Sequence, residues 1–434
     1  MGNQQTVLMA PSTVLARALA RYGIHYAWVM VALVFAFAVC SSATVSIPGV
    51  LLPVMSNDLG WSIGELSGPL GLRVALFGLV APFAGGFMLR YGARAVVIMA
   101  AALLIGGLAL SMIMNAMWQL WLGLGIVLGV ASGLTSLVLA TNIATAWFVE
   151  RRGLVLGILS AGTATGQLIF LPAVAWIAQT FGWRVALLPS ALAIAVLALA
   201  FVLLARDRPA ELGLPPFGTN EPQPDPPPAS GNPFALSLQA LAIAARSPVI
   251  WVLAFAFFVC GVSSFGLTPH FVALCGDNGI SALTSTSLLA VIGVCDLIGT
   301  ICSGWLTDRY DSRSLLAWYY GLRGLSLIWL PYSGFTLVGL SAFAIFYGLD
   351  FIATVPPTVR LTLKEVGAAQ TPLVFGWIFA AHHLGAGVTA FLAGAMRDEL
   401  GTYLPALLAA GALCLVATAC MGLLRAPTRL AAAR

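Results

Sequence analysis

The sequence predicts an all-α integral membrane protein, with twelve transmembrane helices arranged as two pseudo-symmetric six-helix bundles. Three observations predict it. Of 434 residues, 60% are hydrophobic and only 8% are charged, whereas an ordinary soluble domain is about 25% charged. Mean hydropathy is +0.98. The apolar residues fall into runs long enough to cross a bilayer as helices, which takes about 20 residues each, and six runs stand on either side of one long polar break. Lipid requires each span to satisfy its own backbone hydrogen bonds, so spans of this length are helical. These features exclude a cytosolic enzyme, a disordered hub and a disulfide-stapled secreted domain.

Residues 1–25 form a polar, Arg-bearing segment, and the apolar run behind it is too long for a signal-peptide h-region. The first bundle, 26–204, divides at charged, Pro and Gly-rich points into spans 26–50, 66–88, 95–115, 119–143, 153–178 and 184–204. Residues 205–248 are a central loop whose core, Pro215 to Pro228, is Pro-rich and lacks an apolar pattern. It reads as a semi-rigid or disordered linker. The second bundle, 249–425, holds spans 249–273, 283–305, 314–332, 335–356, 371–394 and 403–425, and a tail 426–434 follows.

Cation placement predicts orientation. With both termini cytoplasmic, sixteen of the twenty Lys and Arg residues lie inside, Arg184 and Arg397 lie outside, and Arg73 and Arg323 fall within spans. The positive-inside rule is obeyed, so the formal charge of +5 is a topology signal rather than a ligand signal. The expected location is the inner (plasma) membrane. The halves also overlay at an offset of 219 residues. Glycines at 60, 85, 129, 157, 166 and 182 then fall on glycines at 279, 304, 348, 376, 385 and 401. This is a tandem six-helix repeat about an axis along the membrane normal.

Two loops carry the sharpest motif. After the second span stands Gly85-Gly-Phe-Met-Leu89-Arg90-Tyr-Gly92-Ala-Arg94, and after the eighth Gly304-Trp-Leu-Thr-Asp308-Arg309-Tyr-Asp311-Ser-Arg313. Both resemble the G-x-x-x-D-R-x-G-x-R loop of the major facilitator superfamily. The resemblance implies that fold, with a cytoplasmic latch in which Gly permits close helix approach while Asp and Arg pair with neighbouring helix ends. Leu89 replaces the first-half Asp and Asp311 the second-half Gly, so the latch is expected to be stronger in the second half. The junction Trp147-Phe148-Val-Glu-Arg151-Arg152 through Gly157, Gly162 and Gly166 resembles the corresponding segment of monocarboxylate transporters and their oxalate/formate antiporter relatives. Arg208-Pro209-Ala-Glu-Leu-Gly213 resembles the same group. The glycines spaced at four, Gly162 and Gly166 and Gly125, Gly129 and Gly133, are expected to serve close helix packing in lipid.

Ionisable residues inside spans are costly, about 2.5–3.5 kcal/mol on insertion scales, and so usually face a cavity or a partner. They are Arg73, Asp296, Arg323, Asp350, His382 and His383. Arg binds a carboxylate through a bidentate fork, which suits an anion entering an apolar cavity. The family resemblance implies an eighth-span Asp followed four residues later by an anion-binding Arg. Asp296 matches the Asp, but Thr300 stands where the Arg would be, leaving Arg73 and Arg323 as buried candidates. The structural alternative is a neutralising Asp296–Arg323 pair between adjacent helices. A buried His can change protonation near neutral pH. Neighbours on a helix are about 100° apart, so one of the His pair is expected to serve the site and the other packing.

The expected function is therefore transport of a small organic anion, a monocarboxylate, by proton-coupled alternating access. The expected substrate-binding set is Arg73, Arg323, His382, Asn142 and Tyr347, with packing the alternative for Asn142 and Tyr347. Asp296, Asp350 and His383 are the expected proton-coupling set. The latch set is Gly85, Arg90, Arg94, Gly304, Asp308, Arg309 and Arg313. Oxalate/formate-type exchange and drug or metabolite efflux are the alternatives. Seven cysteines without a CxxC pair indicate neither a disulfide framework nor a metal site. No cofactor, nucleic acid or enzymatic chemistry is expected, and the chain is expected to act as a monomer in the bilayer.

Overall fold

The computed structural model describes residues 10–61, 63–219 and 232–424. The N-terminal helix α1, Pro11–Ala20, precedes the spans. The first six spans are α2 (Ala27–Leu59), α3 (Ile63–Tyr91), α4 (Ala93–Met112), α5 (Met117–Trp147), α6 (Arg152–Phe181) and α7 (Trp183–Leu204). A connecting helix α8 (Pro233–Ala244) leads to the second six. These are α9 (Pro248–Asp277), α10 (Ala282–Arg309), α11 (Ser312–Trp329), α12 (Leu337–Val366), α13 (Thr371–Leu400) and α14 (Leu404–Leu423). Among the described residues there is no β-strand, only one isolated bridge between Phe148 and Phe217. Eleven of these helices are long and apolar enough to cross a membrane by themselves. The ninth expected span, α11, is shorter and carries Arg313 and Arg323. It is held by packing along α14.

Local chemistry sets the helix ends. Ser281, Asp311 and Thr336 accept hydrogen bonds from backbone N–H groups of the first turns of α10, α11 and α12, which satisfies donors that a helix start leaves free. Gly60 and Gly401 close α2 and α13 with φ of 69° and 68°, the left-handed conformation that glycine adopts without strain.

Packing repeats as the sequence does. In the first half α2 packs on α6, α3 on α5 and α4 on α7; in the second α9 packs on α13, α10 on α12 and α11 on α14. The halves meet through α6 on α10 and α3 on α13. The close-packing glycines serve these contacts: Gly162 and Gly166 seat α6 on α2, and Gly125, Gly129 and Gly133 seat α5 on α3. At the α6–α10 seam backbones touch, since a Cβ on Gly157 would lie 2.7 Å from the Thr300 carbonyl oxygen.

The central loop departs from expectation. Residues 220–231, which include most of the Pro-rich core, lie outside the described residues, as do the tail cations Arg425, Arg429 and Arg434. The rest of the loop is not featureless. Helix α8 lies across the seam between α3 and α13. Ser237 Oγ donates to the Pro82 carbonyl of α3 at 3.0 Å, and the Ser237 carbonyl accepts from Trp377 Nε1 of α13 at 2.9 Å. Its apolar residues sit beside a Pro-rich stretch, which hid a helix that draws its stability from tertiary contact.

Candidate functional site

Two spans are unwound at matching places. Helix α5 breaks at residues 135–136 and restarts as Leu137–Trp147; α12 breaks at 351–354 and restarts as Val355–Val366. At the repeat offset Ser136 falls on Val355, so the two restarts lie one residue apart. Non-helical backbone at membrane depth persists where protein or a water-filled cavity satisfies it. In the second half, charged and polar side chains do so. Arg323 donates to the carbonyls of Asp350 and Phe351, Ile352 N–H donates to Asp296 Oδ1 at 3.0 Å, and Ser303 Oγ donates to the Ala353 carbonyl.

This arrangement corrects one sequence expectation. Arg323 pairs with Asp350, Nε to Oδ2 at 3.0 Å, not with Asp296. The break after Asp350 brings its carboxylate and two freed carbonyls to the guanidinium together. Arg323 Nη1 also donates to Cys260 Sγ at 3.1 Å and Ser263 Oγ at 3.3 Å. The guanidinium is thus fully engaged, with its side chain wholly buried. Asp296 accepts from Thr300 Oγ1 at 2.9 Å as well as from Ile352.

The first half has none of these side chains. The positions equivalent to Asp296, Ser303, Arg323 and Asp350 are Phe77, Ala84, Leu104 and Ala131. Its break opens instead onto a cavity between the two halves, with about 1050 Å³ of empty space including the part open to solvent. One wall is rich in hydroxyls: Ser41 and Ser42 from α2, Ser132, Thr135 and Ser136 from α5, and Ser160 and Thr163 from α6, with Gln167 beside them. The facing wall carries Phe257, Phe265, Phe351 and Phe379 with His382 and His383. None of the described residues lining it is Asp, Glu, Lys or Arg.

Four polar atoms of this cavity lack partners. Among the described residues, Oγ of Ser132, Ser136 and Ser160 and Nδ1 of His382 are buried without a hydrogen bond. Their residues are 5%, 6%, 1% and 5% exposed. A buried polar group without a partner asks for a ligand or an ordered water. Ser136 also precedes the eleven-residue helix Leu137–Trp147, and its side chain does not cap it. The first turn of such a half-helix offers N–H groups and a positive dipole end. The equivalent restart in α12 offers less, because Pro356 and Pro357 follow Val355 and have no N–H.

The other sequence-predicted residues fall around this cavity. Arg73 is 4% exposed on α3, one turn from the cavity-lining Phe77. Its Nη2 donates to Thr44 Oγ1 at 3.2 Å, and its Nη1 has no partner among the described residues. His383 packs its ring edge-on to Phe77 at 4.7 Å, with Nδ1 3.2 Å from the Phe379 carbonyl oxygen. Tyr347 lies behind the wall and its hydroxyl donates to the Ser263 carbonyl; Asn142 does not line the cavity. Sequence reasoning missed Ser132, Ser136 and Ser160. The i, i+4 spacing of Ser132 and Ser136 and the paired prolines at 356–357 were the available signals.

The latch loops sit at the helix ends where the halves meet. The Asp308 carboxylate accepts from Gly153 N–H at 2.8 Å and Leu154 N–H at 2.9 Å, so α10 of one half caps the start of α6 in the other. Gly304 lies in backbone contact with Gly153, and Gly85 packs on Pro372. The second Arg of each loop reaches the end of its own half's last helix: Arg94 donates to the Val202 carbonyl and Arg313 to the Leu424 carbonyl. Arg309 lies 3.9 Å over the Trp305 ring. Arg90 stands at the end of α3.

Twin six-helix bundles with one cavity at their interface, reached by half-helix ends, define a membrane transporter. The chain belongs to the major facilitator superfamily, whose model matches residues 34–370. It is therefore a transporter of a small molecule, not an enzyme. It is 28% identical to monocarboxylate transporter 13 of Rattus norvegicus over 349 residues, 79% of this chain and 75% of the relative. It is 26% identical to monocarboxylate transporter 11 of Homo sapiens over 412 residues, 90% and 81% of the two chains. In structure it is similar to the E. coli fucose:proton symporter, with a TM-score of 0.68 at 17% identity, covering 92% and 99% of the chains. The human organic anion transporter MFSD10 gives a TM-score of 0.68 at 15% identity, covering 90% and 98%.

Proposed function

We propose that this chain moves a small organic anion, a monocarboxylate, together with protons by alternating access of its two halves. It would do so as a single chain, with the cationic helix ends on the cytoplasmic side. The observation that carries this reading is the set of unpartnered buried donors around one cavity whose described lining residues include no carboxylate. Ser132, Ser136, Ser160 and the Leu137–Trp147 helix start present donors to an anion. Arg73, a buried guanidinium without a carboxylate partner among the described residues, stands one turn away. An uncompensated buried charge is expensive, and an arriving carboxylate supplies the missing partner. The related monocarboxylate transporters support the same substrate class.

A charge count supports proton coupling. Asp296 and Asp350 are both buried, with Arg323 as the guanidinium among them. Asp350 is neutralised by that pair, so Asp296 carries the excess negative charge, and a proton there neutralises the cluster. Asp296 also holds the N–H of Ile352, which lines the cavity. Its protonation therefore reaches the cargo wall.

Two measurements test this reading. Proteoliposomes at equal pH on both sides are expected to take up labelled monocarboxylates of graded size saturably, above protein-free vesicles. Arg73→Ala is expected to raise KM about ten-fold or more, as loss of a charged hydrogen bond worth about 1.5–3 kcal/mol implies, with Arg73→Lys intermediate. Failure of every monocarboxylate to move would overturn it. For the latch, Asp308→Ala removes two charge-assisted bonds to the start of α6. Spin labels at positions 150 and 310 are then expected to show a longer mean separation; an unchanged distance distribution would remove Asp308 from the latch.

A further inference from the structure

The two walls of the cavity differ in kind. Most of the hydroxyls and the half-helix start lie on the first half, beside Phe37 and Phe77, and the ring cluster of Phe257, Phe265, Phe351 and Phe379 lies on the second. Phe265 and Phe351 face each other at 5.4 Å between centroids, and the His382 ring stands 5.2 Å from Phe265, edge-on. Phe265 sits in the unwound stretch 264–267 of α9 and Phe351 in the break of α12. Both rings thus hang from irregular backbone rather than from a helix. Phe265 is 37% exposed although it lies deep in a span, and it lines the cavity. An acid of two or three carbons needs no such wall and leaves most of the cavity unfilled.

Resting on the anion reading above, we propose that the preferred cargo is an aryl-bearing monocarboxylate. Its ring packs against Phe265 and Phe351, and its carboxylate lies across the cavity at Ser132, Ser136 and the start of Leu137–Trp147. Aromatic rings favour offset or edge-on partners at 4.5–7 Å, which these rings present. His382 stands beside Phe265, and its unpartnered Nδ1 meets a polar substituent on the chain joining ring and carboxylate.

Matched pairs test the proposal in proteoliposomes: acetate against phenylacetate, pyruvate against phenylpyruvate, and phenylacetamide as the uncharged control, each corrected for protein-free vesicles. The phenyl member of each pair is expected to show kcat/KM higher by about ten-fold or more, the scale of burying an aromatic side chain. Phenylacetamide is expected not to be carried. Phe265→Ala, and independently Phe351→Leu, is expected to reduce the aryl-to-small ratio several-fold. Equal or faster transport of acetate and pyruvate by the unaltered protein would overturn the aryl assignment and leave the anion reading standing. Carriage of phenylacetamide as fast as phenylacetate would overturn the anion reading instead.

Discussion

Arg323→Ala is expected to lose about 3–5 kcal/mol of stability, the scale for removing one partner of a buried ion pair. The variant leaves the Asp350 carboxylate buried without its cation and the carbonyls of Asp350 and Phe351 without donors. Thermal unfolding in detergent, followed by size-exclusion, reads the loss. The decisive companion is Arg323→Met combined with Asp350→Leu, which removes both charges and keeps the volume filled. Replacing a whole buried pair by apolar groups is often neutral or stabilising, so the double variant is expected to recover most of the melting temperature. It is also expected to retain saturable uptake, since neither side chain lines the cavity. Equal melting temperatures for unaltered protein and Arg323→Ala would contradict a structural role for the pair.

Asp296→Asn is expected to separate transport from accumulation. One pH unit is worth about 1.4 kcal/mol, so a one-to-one proton symporter accumulates its anion about ten-fold per unit of inward gradient. Asn keeps the acceptor for the Ile352 N–H and the Thr300 hydroxyl but takes no proton. Counterflow of labelled against unlabelled anion is expected to persist while the accumulation ratio falls to about one, by the same conversion. Accumulation as high as in the unaltered protein would remove Asp296 from the coupling step.

Much of the fold was legible because lipid imposes simple rules. Span length and the 219-residue offset each reflect a physical constraint, and Gly60, Gly157 and Gly304 mark places where backbone must turn or touch. The site was only partly legible. Arg323 and Asp296 stood out as intramembrane charges, yet their partners depended on where α12 unwinds, and spacing alone does not set that. The break in α5 was hidden because Thr135 and Ser136 sit comfortably in an apolar run. The hydroxyl wall was missed because a serine in a span ordinarily bonds back to its own helix, and nothing in the sequence tells Ser132 from Ser111, whose hydroxyl donates to the Gly107 carbonyl. Helix α8 was missed because its partners, Pro82 and Trp377, are distant in sequence.

The measurement closest to the centre is monocarboxylate uptake by proteoliposomes under three conditions: an inward proton gradient, the same gradient collapsed by an ionophore, and no gradient with unlabelled acid preloaded. Proton-coupled anion transport predicts accumulation above equilibrium in the first condition alone, lost when the gradient collapses. Uptake that ignores the gradient and appears only in preloaded vesicles would contradict it and establish exchange in its place.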